Sequence, residues 1–71
     1  MSKLNIPIWL KENGDKVSCV EKIKVMNENL QELEQILQDT YDDAILMGVS
    51  KKQIRDFLYY MINKIKDNYN L

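Results

Sequence analysis

The sequence predicts an all-α fold, an antiparallel αα-hairpin of a long first helix and a shorter second one with an extended N-terminal arm, self-associating into a helical bundle. Three observations carry that expectation. Apolar residues recur at helical spacing along two segments separated only by Gly48-Val49-Ser50, a connection too short for anything but antiparallel neighbours. The 71 residues include just 2 Gly and 1 Pro, too few turn formers for many short strands. At 45% hydrophobic and 30% charged the chain is too apolar to be a disordered segment. Its length suits one small domain, since domains commonly take roughly 100 to 200 residues.

The arm comes first, in residues 1 to 17. Pro7 and the alternation of Leu4-Asn5-Ile6-Pro7-Ile8-Trp9-Leu10 favour extended backbone, and Glu12-Asn13-Gly14-Asp15 supplies a turn. Helix 1 is expected over residues 18 to 47. Ser18 followed three residues later by Glu21 is a capping-box pattern, and Ile23, Met26, Leu30, Leu33, Leu37, Thr40, Ala44 and Met47 then step by three and four. Ile36 and Tyr41 widen that seam. Gly48 provides the left-handed conformation that ends many helices. Residues 48 to 50 form the turn, and helix 2 is expected over residues 51 to 67, where Ser50 and Gln53 make a second capping box and Ile54, Phe57, Leu58, Met61, Ile62 and Ile65 form the apolar stripe.

The helices differ in length. At 1.5 Å per residue helix 1 would run about 43 Å and helix 2 about 24 Å, which leaves Val20, Ile23, Met26 and Leu30 uncovered within the hairpin. The arm, about 23 Å long when extended, is the segment able to cover them, either in its own chain or on a second subunit. Charge is divided as well. Residues 18 to 48 hold two Lys against seven acids, whereas residues 49 to 71 hold five basic residues against two acids, a complementarity that suits both the hairpin and a dimer of hairpins.

Composition also excludes chemistry. The chain has no His, which removes imidazole bases, Ser-His and Cys-His nucleophile pairs and His-containing metal sites. No catalytic residue, cofactor or metal is expected, and an enzyme is the least favoured class. The net charge of −1 disfavours a nucleic-acid partner. A lone Cys19 cannot close an intramolecular disulfide, and the N-terminus lacks a signal-peptide apolar core, which points to the cytoplasm. No apolar run approaches the roughly 20 residues of a membrane span.

Four features are candidates for function. Asp39, Asp42 and Asp43 stand near a helix C-terminus, where carboxylates oppose the macrodipole. Either Lys51, Lys52 and Arg55 neutralise them across the turn, or they recognise a basic partner surface. Ile45, Leu46 and Tyr60 fall off their apolar stripes and, with Trp9 and Ile8 in the arm, form surplus apolar surface suited to a contact. The basic residues Lys51, Lys52, Arg55, Lys64 and Lys66 with Tyr59, Tyr60 and Tyr69 could instead bind RNA, although Asp56 and Asp67 interrupt that face. Cys19, in the first turn of helix 1, reads as a small packed residue or, more weakly, as a thiol sensor.

The segments Ser18-Cys19-Val20-Glu21-Lys22-Ile23-Lys24-Val25, Asn27-Glu28-Asn29-Leu30, Gln38-Asp39 and Leu46-Met47-Gly48 resemble a short bacterial helical family to which no function is attached. The resemblance covers residues 17 to 60. It implies a compact helical protein and carries over no site residue. The residues themselves point to a cytoplasmic protein–protein interaction or adaptor module whose partner is a second copy, as a homodimer, another protein, or both. Trp9, Ile45, Leu46 and Tyr60 would be its apolar anchors, and Asp39, Asp42 and Asp43 its polar specificity.

Overall fold

A computed structural model describes residues 4–69, so residues 1–3 of the expected arm lie outside it. The described residues form two helices, α1 (Val20–Leu46) and α2 (Lys51–Asn63), in the expected order of long then short. The chain divides into two compact units, residues 1–37 and 38–71, with the division inside α1.

In the first unit the arm folds back on itself. Val17 N–H donates to the Trp9 carbonyl at 2.9 Å, Lys11 N–H to Asp15 at 2.7 Å and Gly14 N–H to Lys11 at 2.9 Å, and Leu10 and Lys16 form an antiparallel bridge. Gly14 sits at φ 92°, the left-handed residue that a three-residue hairpin loop requires. Asn13 Oδ1 accepts the Asp15 N–H at 3.0 Å, a local bond that fixes the loop. The arm is therefore a small hairpin that turns back over residues 12 to 15, where the sequence places a turn. Its Ile6, Trp9 and Val17 are half-buried, as are Ile23, Asn27 and Leu30 of α1. The arm and the start of α1 belong to one unit of the chain.

Helix α1 begins slightly later than the Ser18 capping box implies. The Cys19 carbonyl accepts from Ile23 N–H at 3.0 Å, which makes Cys19 the cap residue. Its thiol is exposed, so the expectation of a packed Cys19 is corrected, because a cap residue lies outside the helical stripe.

The second unit contains the helical turn. Val49 N–H reaches the Ala44 carbonyl at 2.9 Å and Gly48 N–H that of Ile45 at 3.0 Å, with Gly48 at φ 88°. Those two bonds are a Schellman motif, and its usual apolar partners, here Ala44 and Val49, are the residues withdrawn from water around the turn. Ser50 then caps α2, its hydroxyl accepting Gln53 N–H at 3.3 Å. The Arg55 guanidinium lies 4.9 Å from the centre of the Tyr41 ring, joining the two helices across the turn.

Helix α2 ends at Asn63 rather than near residue 67. Lys64 N–H and Ile65 N–H bond three residues back, to Met61 and Ile62 at 3.1 Å each, the tightened form of a fraying last turn. Asp67 Oδ1 accepts the Tyr69 N–H at 3.1 Å, a local bond that competes with helix. The expected core of α2 is also corrected. Ile54 and Leu58 are half-buried, but Phe57, Met61, Ile62 and Ile65 are exposed.

Candidate interaction surface

The seam of α1 is rotated from the one that its periodicity suggests. Ile23, Asn27, Leu30, Glu34, Leu37, Tyr41 and Ala44 are withdrawn from water, stepping by four and three. Ile23, Leu30, Leu37 and Ala44 belong to both patterns. The alternate positions move by one residue, so that Asn27, Glu34 and Tyr41 take the places expected for Met26, Leu33 and Thr40. Met26, Leu33, Ile36 and Met47 are left exposed. Ala44, 9% exposed, is the most deeply withdrawn residue of this seam.

Asn27 explains part of that rotation. Trp9 Nε1 donates to Asn27 Oδ1 at 2.8 Å across eighteen residues of sequence, and a partly buried indole N–H needs such an acceptor. An Asn in the middle of a long helix is a poor helix former. Its phase with Ile23 and Leu30 was the signal available in the sequence. Trp9 is half-buried, with its indole N–H held by Asn27 within its own unit.

The remaining candidates lie in the second unit. Tyr41, Asp42, Ile45, Leu46 and Lys51 line one shallow hollow, which holds three of the candidate residues, Asp42, Ile45 and Leu46. Ile45 is half-buried and Leu46 is 87% exposed. Asp39 and Asp43 are exposed on α1. Tyr60 sits instead in an aromatic pair on α2, its ring 5.6 Å from that of Phe57 with Lys64 Nζ 5.4 Å above it.

Lys52 and Arg55, two of the cations expected to face the aspartates, each have a partner within their own unit. Lys52 pairs with Asp56 one turn along α2, and that hydrogen bond and charge raise the Lys52 pKa above its ordinary value. Arg55 stacks on Tyr41, while Asp42 Oδ1 accepts from Gln38 Nε2 at 2.9 Å. Three cations proposed for RNA phosphates, Lys52, Arg55 and Lys64, are thus engaged with groups of their own chain.

No family model, curated protein or solved structure matches this chain. Among the described residues no helix is long and apolar enough to cross a membrane.

Proposed function

We propose that this chain is a small, non-enzymatic, cytoplasmic protein–protein interaction module whose first partner is a second copy of itself. The supporting observation is the pattern of exposure. Large apolar side chains stand in water at helical spacing on both helices, while among the described residues Ala44 alone is buried, with 9% of its surface still exposed. Completing the burial of a half-exposed Phe, Met or Ile contributes about 1 kcal/mol each. Small chains gain only about 3 to 5 kcal/mol from one core, so a few such side chains decide whether the folded state persists. The apolar surface also favours a protein partner over RNA, because three of the five cations that could meet phosphates, Lys52, Arg55 and Lys64, already lie against Asp56, Tyr41 and Tyr60.

The test is thermal unfolding followed by circular dichroism over a hundredfold range of protein concentration, with light scattering at each end. A self-associating module melts at higher temperature as concentration rises. A melting temperature independent of concentration, with a monomeric mass throughout, refutes self-association.

A further inference from the structure

We infer that two copies of the chain exchange their arms, so that the arm of one lies on α1 of the other in the place it holds here on its own α1. The inference rests on the self-association reading and gives that association a mode. Seat and occupant both lie in the first unit, and the structure shows how one fits the other. Trp9 Nε1 donates to Asn27 Oδ1 at 2.8 Å. Ile6, Trp9 and Val17 of the arm are half-buried, as are Ile23, Asn27 and Leu30 of α1. The arm of a second chain can make the same bond and the same burial, which is why exchange of an identical element is a low-cost route to a dimer.

Three features favour exchange. The arm is held together by its own bonds, from Val17 N–H to the Trp9 carbonyl and from Lys11 N–H to Asp15, with the bridge between Leu10 and Lys16, so it can leave α1 without losing its shape. Its connection to the helix is short. Val17 still belongs to the hairpin and the Cys19 carbonyl already accepts the first bond of α1, which leaves Ser18 as the hinge, and short hinges invite swapping. The exchanged state also has contacts to add. Ser18 and Cys19 together span about 7 Å when extended, so two chains that trade arms bring the first turns of their α1 helices near each other. Val20, 75% exposed, lies there, and Ile8 and Leu10, on either side of Trp9 in the sequence, are exposed on the arm. Glu21 in the same first turn offsets the meeting of two positive dipole ends.

Two measurements on the full chain test this. In the first, isotope-labelled and unlabelled wild-type chains are unfolded together in urea and refolded as an equal mixture, at a concentration where light scattering gives a dimer. Isotope-filtered NMR should then show cross-peaks from the Trp9 indole of one chain to the Ile23 and Leu30 methyl groups of the other. The second uses two variants, Trp9→Ala, which keeps the seat but has no Trp, and Leu30→Asp, which keeps Trp9 but spoils the seat. The emission of Leu30→Asp alone should be red-shifted and open to acrylamide, and adding Trp9→Ala should shift it to the blue and shield it, since Trp9 then has an intact seat in the other chain. A dimeric wild type without the cross-peaks between chains, or helical variants whose emission does not change on mixing, overturns the exchange and leaves self-association standing. A monomeric wild type overturns both.

Discussion

The bond from Trp9 to Asn27 makes the most specific claim on the fold, because it joins the arm to the first third of α1 at 2.8 Å. Asn27→Ala alone is a poor test. It removes the acceptor, at a cost of about 0.5 to 1.5 kcal/mol for a typical hydrogen bond, yet it replaces a weak helix former by the best one, a gain of up to about 0.7 kcal/mol. The two effects nearly cancel. A double-mutant cycle with Trp9→Phe, which keeps a ring but no N–H, separates them, since the propensity gain enters both Asn27→Ala arms equally. Urea unfolding read by far-ultraviolet circular dichroism should give a coupling of about 1 kcal/mol. In Asn27→Ala the emission of the only Trp should also shift to the red and become more open to acrylamide. Coupling below about 0.3 kcal/mol, the usual limit of additivity, with unchanged emission would mean that this bond does not hold the arm.

Gly48 has φ 88° and open space where a Cβ would stand, so Gly48→Ala should cost only the backbone penalty of about 1 to 2 kcal/mol, and Gly48→Asn less, as read by the urea midpoint. Asp43→Asn should raise stability by about 0.3 to 1 kcal/mol, because a carboxylate near the C-terminus of α1 opposes the dipole while Lys52 and Arg55 are engaged elsewhere; a fall in the melting temperature would restore the neutralising role of those cations. The Lys52–Asp56 pair favours the protonated amine, so its small stabilisation is complete at neutral pH and fades as pH rises through the raised Lys52 pKa. Asp56→Asn should bring that titration, followed by NMR, back toward the ordinary lysine value.

Local chemistry in the sequence settled the ends of the elements near the turn. Gly48 can hold positive φ, Ser50 can cap with its hydroxyl, and the residues between leave two helices no course but antiparallel, so the hairpin was legible before any contact was known. The length mismatch of the helices likewise required that the arm cover the start of α1. Tertiary packing decided how α1 is turned about its axis. Its apolar arc is wider than one neighbour can cover, and periodicity states that an arc exists without stating which part is covered. The arm supplied the choice through the indole N–H of Trp9, which demanded a polar acceptor and found Asn27, drawing Ile23, Asn27 and Leu30 inward and leaving Met26 and Leu33 in water. Arg55 was settled in the same way. Its charge alone pointed only to Asp39, Asp42 and Asp43, whereas the fold also sets its planar cation over the half-buried Tyr41 ring, where stacking adds its own attraction. Helical spacing is a property of one segment. Which face is covered depends on a second segment distant in sequence, and here a single hydrogen bond and a single stacked cation made that decision.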